Sequence, residues 1–219
     1  DGISLIQTAE GALNEVHAML QRMRELAVQG ANGIYEKDDL EAIANELKEL
    51  TEQIDKIANE TTFNGIYLLK GELATKQVSG VSGGSGTTEP ITDLRLQIGA
   101  NEDHYIDIDM SEINATVIEE SESGAKGLKI ANDIIKVIRD SGEIIGFEVA
   151  EDLDSSMFSK AIKTYDDAVK TVASQRSLLG AYQNRLEHTI RNLDNTSENL
   201  TAAQSRIEDA DMALEMSEF

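Results

Sequence analysis

From Ile162 to Leu214 the apolar spacing alternates between three and four residues without a break. The positions are Ile162, Tyr165, Val169, Val172, Arg176, Leu179, Gln183, Leu186, Ile190, Leu193, Ser197, Leu200, Gln204, Ile207, Asp211 and Leu214. This is the heptad period, which keeps one face of a helix against a partner helix along its whole length. One of the two seam positions is apolar every time. The other is polar at Arg176, Gln183, Ser197, Gln204 and Asp211, and polar seam positions weaken a helix pair while defining its register. At ~1.5 Å per residue such a helix is on the order of 80 Å long. The fold class that follows is mainly α: an elongated, rod-like bundle of coiled-coil-like helices.

Two more seams lie near the start. Ile6, Ala9, Leu13, Val16, Leu20, Met23 and Ala27 form the first, widened by Met19 and Leu26. This helix is expected to stop near Gly30 to Gly33, where Asn32-Gly33 offers a left-handed turn. Asp38 or Asp39 is placed to cap the next helix, whose seam is Leu40, Ile43, Leu47, Leu50, Ile54 and Ile57. A short connection makes the two antiparallel neighbours. Every seam residue, through Leu214, is read as intramolecular core.

The middle of the chain has a different character. Residues 71–158 carry net charge −12, the only proline (Pro90) and the run Gly80 to Gly86, read as a loop without apolar anchors. Leu94, Leu96 and Ile98 alternate with polar residues, as do Ile106, Ile108 and Met110, which reads as a small β-hairpin with a long loop. Asp107 and Asp109 then share its solvent face. Phe63-Asn64-Gly65-Ile66 supplies a tight turn. Residues 126–140, with Leu128, Ile130, Ile134, Ile135 and Ile138, carry a weaker helical pattern, and 144–149 a short strand. The chain divides into a helix pair at 1–69, a hairpin and insert at 70–157, and the long helix at 158–219.

Chemistry is scarce. The chain of 219 residues has net charge −22, which disfavours nucleic acid and anionic membrane surfaces. It has no cysteine, which excludes disulfides and thiolate sites. His17, His104 and His188 lack the spacing of a metal site, and read as a packed or surface residue, a loop tip and a surface or interface residue. No nucleophile elbow or phosphate loop occurs. Neither an enzyme nor a cofactor is expected.

The chain resembles bacterial flagellin in three blocks. The first is Asp1-Gly2-Ile3-Ser4-Leu5-Ile6-Gln7-Thr8-Ala9-Glu10-Gly11-Ala12-Leu13, followed by Leu20-Gln21-Arg22-Met23-Arg24-Glu25-Leu26-Ala27-Val28-Gln29 and Thr62-Phe63-Asn64-Gly65. The second is Leu96-Gln97-Ile98-Gly99-Ala100-Asn101. The third includes Ser174-Gln175-Arg176, Asn184-Arg185-Leu186-Glu187 and Asn199 to Ile207. The resemblance implies a structural subunit of the flagellar filament, extracellular, exported without a cleavable signal through the flagellar export apparatus with a chaperone. It implies other flagellin subunits as partners, and further helical segments on either side of this stretch. It also implies recognition by Toll-like receptor 5 through Leu20, Gln21, Arg22, Leu26, Gln29, Ile43 and Glu46, with Arg22, Leu26 and Glu46 in one exposed patch. A flagellin-like junction protein between hook and filament is the alternative.

Overall fold

The computed structural model describes residues 2–71, 74–77, 88–91, 93–97, 105–117, 127–140 and 143–218. Three helices dominate: α1 (Gly2–Ala31), α2 (Lys37–Glu60) and α3 (Ser155–Glu218). The first seam is buried throughout, with Ile6, Ala9, Leu13, Val16, Leu20, Met23 and Ala27 all at 0% exposure. In α2 the buried positions include Leu40, Ile43, Leu47 and Ile54, while Leu50 and Ile57 are half-buried. The helix ends depart from expectation. Neither Asn32 nor Gly33 adopts positive φ, so α1 stops without a left-handed turn. The N-cap of α2 is Glu36 in extended geometry, without a side-chain cap bond. Asp38 and Asp39 lie inside the first turn, where their charge complements the positive helix end.

Helix α3 runs antiparallel to α1. Arg24 reaches Asp166 at 3.7 Å, Arg176 reaches Glu10 at 4.0 Å, and Gly30 lies against Phe158. This register brings the start of α1 alongside Leu186. The remaining eight or nine turns of α3 continue past it for ~45 Å. Within these residues α1 covers the seam only in part. Tyr165, Val172, Leu179 and Leu186 are buried, but Ile190, Leu200 and Ile207 are 44%, 65% and 66% exposed.

Gly30 sets how closely the helices approach at the other end. A Cβ there would sit 2.4 Å from Cδ1 of Phe158, a ring that is itself fully buried. Helix propensity favours Gly30→Ala by roughly 1 kcal/mol, but overpacking costs about 1–3 kcal/mol. Gly30→Ala is expected to lower the melting temperature by a few degrees, measured by thermal unfolding.

Among the described residues between α2 and α3 are four two-stranded antiparallel pairs: β1 (Thr62–Phe63) with β2 (Ile66–Tyr67), β3 (Ala74–Gln77) with β4 (Thr88–Ile91), β5 (Asp93–Gln97) with β6 (Tyr105–Asp109), and β7 (Ile135–Asp140) with β8 (Glu143–Val149). The turn between β1 and β2 has Asn64 and Gly65 at φ 54° and 81°, a two-residue hairpin turn of the expected kind. β5 and β6 pair Leu94 with Ile108 and Leu96 with Ile106, as the alternation requires. Asp107 and Asp109 are exposed. Arg185 fastens this hairpin to α3 by donating to the Asp107 carbonyl at 2.9 Å. Gly80 to Gly86 and His104 lie outside the described residues.

The segment read as helix at 126–140 is not helical where described. Residues 127–134 are irregular and 135–140 form β7. The reason is local. Oδ1 of Asn132 accepts the backbone N–H groups of Ile134 and Ile135 at 2.9 and 3.1 Å, a turn that competes with helix. The isoleucines that follow are β-branched and fit a half-buried strand. β8, read correctly as a strand, packs with Phe147 buried against the α2 side.

Buried and half-buried polar ties also join the segment between α2 and α3 to α3. Gln175 donates to the Asn114 carbonyl at 2.9 Å, with both residues buried. Asn132 donates from Nδ2 to the Tyr165 hydroxyl at 2.7 Å. Burial pushes the Tyr165 phenol up to about 12 from an ordinary 10.0. As pH rises through 10 the unfolded chain releases this proton first. It then binds fewer protons than the native state, so stability falls. The loss is roughly 2–3 kcal/mol by pH 12. Alkaline denaturation followed by circular dichroism is expected to show this slope, and Tyr165→Phe to remove it.

Candidate interaction surface

α1 lies between its two partner helices, and two arginines mark the two sides. Arg22 and Arg24 are two residues apart and therefore point to different faces. Arg24 turns to Asp166 of α3, which also accepts Lys170 at 2.6 Å. That lysine ammonium first, and Arg24 less strongly, holds the Asp166 carboxyl below the usual range. Arg22 turns to α2. Its Nε donates to Oε1 of Glu46 at 2.9 Å, a second guanidinium nitrogen meets the same oxygen at 2.9 Å, and Glu25 follows at 3.5 Å. The hydrogen bond to Glu46 is the main cause that raises the Arg22 guanidinium above its ordinary value. Both partners remain about half exposed, at 50% and 45% of their side chains. Such a pair adds little to stability in water but holds a planar donor fork in one orientation at the surface.

The positions that the resemblance assigns to receptor binding divide into two layers. Gln21, Arg22, Gln29 and Glu46 are exposed. Leu20, Leu26 and Ile43 are 0%, 2% and 6% exposed and form the core beneath. Arg22 and Glu46 thus meet across α1 and α2, but Leu26 is not part of an exposed patch. It belongs to the stripe that packs inward, as its place beside the Met23 and Ala27 seam allows. Val28, 48% exposed, was not singled out in the sequence. It follows Gln21 by seven residues, so the heptad already puts it on the rim with Gln21 and Glu25. The result is a strip of Gln21, Arg22, Glu25, Val28 and Gln29 facing Glu46.

A second surface is the open seam of α3. Ile190, Leu200 and Ile207 recur on one face with Gln204 and Ser197 between them. Apolar side chains in heptad register are of the kind that packs against another helix.

Nothing else in the described residues offers chemistry. No three potential metal ligands come together among them, and no described helix is long and apolar enough to cross a membrane. His17 is half-buried, with Nε2 at 3.3 Å from the Gln21 amide, and His188 is exposed. A groove of about 280 Å³ lined by Gln7, Glu10, Gly11, Asn14 and Arg176 is open and polar, unlike an enclosed apolar ligand pocket.

Comparison with known proteins agrees with this geometry. The bacterial flagellin N-terminal helical region matches residues 1–74, and the bacterial flagellin C-terminal helical region matches residues 162–219. The chain is 46% identical over 224 residues to a flagellin of Bacillus subtilis (strain 168), covering 100% of this chain and 68% of that protein. It is 42% identical over 220 residues to a flagellin of Halalkalibacterium halodurans, covering 100% of this chain and 65% of that protein. It thus spans about two thirds of the length of these relatives. Among solved structures, a Bacillus cereus flagellin superposes with TM-score 0.58 at 23% identity, over 93% of this chain and 92% of that one. A putative flagellar hook-associated protein of Vibrio parahaemolyticus superposes with TM-score 0.61 at 16% identity, over 92% and 84%. The fold is therefore common to filament and hook-associated proteins and does not separate them. Identity to flagellins along the whole chain does. The chain belongs to the bacterial flagellin family, a family of structural proteins.

Proposed function

We propose that this chain is the helical core of a flagellar filament subunit and that the seam of α3 beyond Leu186 is where it takes up helical partners in assembly. One observation carries the reading: the heptad of α3 runs on through Ile207, and among the described residues no helix covers Ile190, Leu200 and Ile207. Leaving such a stripe in water gains nothing; burying each side chain is worth roughly 1.5–3 kcal/mol. In this reading residues 1–69 and 158–219 supply the packed rod and 70–157 the insert. The subunit works outside the cell, having passed through the flagellar export apparatus with its chaperone. It contacts other flagellin subunits, and neither nucleic acid nor membrane.

These 219 residues contain no cysteine, so an introduced thiol is the only one in this stretch. Leu200→Cys and, on the outward face, Glu198→Cys are made separately in the present chain and in the full-length subunit. The thiol at 200 is expected to react with a maleimide in the present chain and to be shielded in filaments of the full-length subunit, while the thiol at 198 reacts in both. Equal labelling of position 200 in both states would contradict the proposal.

The Arg22–Glu46 geometry supports a second role, as a ligand of Toll-like receptor 5. Arg22, Gln21, Gln29 and Glu46 supply polar groups at the surface, and Val28 adds an apolar contact between them. Leu20, Leu26 and Ile43 act from below by holding α1 and α2 together. The interface is one of few anchors with a polar rim, the pattern in which a single arginine carries much of the affinity.

A further inference from the structure

The chain holds two Asn-Gly dipeptides in described, exposed turns, and the fold treats them differently. Asn64-Gly65 forms the turn between β1 and β2. Its φ angles of 54° and 81° are locked between the pairs Phe63–Ile66 and Thr62–Tyr67, and Leu68 donates back to the Thr61 carbonyl at 3.1 Å. Asn32-Gly33 lies just past the end of α1. Asn32 holds the chain there with a backbone bond to Gln29 of 3.2 Å, no strand pairs flank it, and Ile34 beside it is 85% exposed. Space is not the difference. A Cβ on either glycine would meet nothing within 4 Å. Only the backbone restraint differs.

We propose that Asn32 is a site of spontaneous deamidation and that its hairpin protects Asn64. The Gly33 amide gives up its proton to solvent hydroxide, and its nitrogen attacks Cγ of Asn32. A C–N bond forms, the side-chain amide leaves as ammonia, and a succinimide ring results. Water then opens the ring at either carbonyl to leave aspartate or isoaspartate. Glycine is the favourable nucleophile because no side chain obstructs the approach. Ring closure also requires Asn Cγ to swing toward the following peptide nitrogen by rotation about Cα–C. In the open turn after α1 this breaks no ladder. At Asn64 it would undo the paired turn and both strand registers.

The product matters at this place. A carboxylate at position 32 stands at the negative end of α1, which opposes it. It lies one turn beyond Val28 and Gln29, at the edge of the Arg22 surface, in a chain already at net −22.

The test is incubation of the folded chain in mildly alkaline buffer, with peptide mass mapping of both sites and an assay for isoaspartate. Asn32 is expected to convert at least about tenfold faster than Asn64, the ratio given by ~1.4 kcal/mol of activation free energy. In denaturant the two rates are expected to converge. Gly33→Ala, which the open space accommodates, is expected to slow conversion at Asn32. Comparable rates in the folded chain, a faster Asn64, no conversion at Asn32, or a ratio unchanged by denaturant would each overturn the proposal.

Discussion

Replacing Leu200 and Ile207 together by aspartate is expected to abolish filament growth by the full-length subunit while leaving the present chain folded. Both side chains are about two-thirds exposed, so the free chain loses no packing. The intrinsic helix penalty is at most about 0.7 kcal/mol per site. In an assembled seam the same two carboxylates are buried without cations to meet them. An unpaired buried charge costs several kcal/mol. Two such charges at ~3 kcal/mol each raise the concentration needed for assembly by roughly ten-thousand-fold. Sedimentation and electron microscopy of the variant read this directly, with thermal melts of the shorter chain as the control for folding. Filaments of normal length at normal concentration would remove the exposed seam from assembly.

The second large effect is at Arg22. Arg22→Ala is expected to weaken binding to the Toll-like receptor 5 ectodomain on the order of 30-fold or more, as removal of a central interface arginine does. Melting should barely change, because the side chain is half exposed and its pairs with Glu46 and Glu25 are solvated. Two further variants tell contact from architecture. Exchanging the charges, Arg22→Glu with Glu46→Arg, restores an ion pair between α1 and α2 but presents the wrong groups outward. It is expected to bind as weakly as Arg22→Ala. Leu26→Ala should instead lower stability by roughly 2–5 kcal/mol, because Leu26 is buried. Its effect on binding should disappear at temperatures where the variant is fully folded. Titration against the ectodomain, with melts alongside, decides these outcomes. Full affinity in the exchanged variant would show that the pair serves the fold alone.

The legible part of this molecule is the part where one period rules a long stretch. The seams of α1 and α2 could be written residue by residue, because each helix has a partner along its whole length and burial follows the repeat. Leu94 and Leu96 were legible opposite Ile108 and Ile106 for the same reason at period two. The failures share a cause as well. Leu128, Ile130, Ile134, Ile135 and Ile138 can be laid on a helix or split into a buried loop and a strand. The choice rests with a single side chain, Asn132, which satisfies two backbone donors in a turn. The β3–β4 pair has no alternation and includes Pro90, so no pattern announces it. Leu26 was placed outward because Arg22 lies four residues before it, yet the stripe of α1 is wide enough to draw Leu26 into the core.

The long seam shows where periodicity stops being informative. Leu186 and Leu200 occupy equivalent heptad positions and look alike in sequence, but one is 4% and the other 65% exposed. Within these residues α1 lies alongside Leu186 and not Leu200, in the register marked by the Glu10–Arg176 and Arg24–Asp166 contacts. The candidate surface was legible in the same partial way. Arg22 and Glu46 were placed in one exposed patch, and both are exposed, but their ion pair at 2.9 Å was not anticipated. The burial of Leu20 and Ile43 is a matter of packing depth.

Amide hydrogen exchange along α3 tests the central claim most directly, comparing the present chain as a monomer with assembled filaments of the full-length subunit. Residues 158–186 pack on α1 in the subunit itself and are expected to be protected in both states. Residues 190–207 are expected to exchange markedly faster than residues 158–186 in the monomer and to become comparably protected on assembly. Exchange at 190–207 that stays fast in filaments would contradict the account.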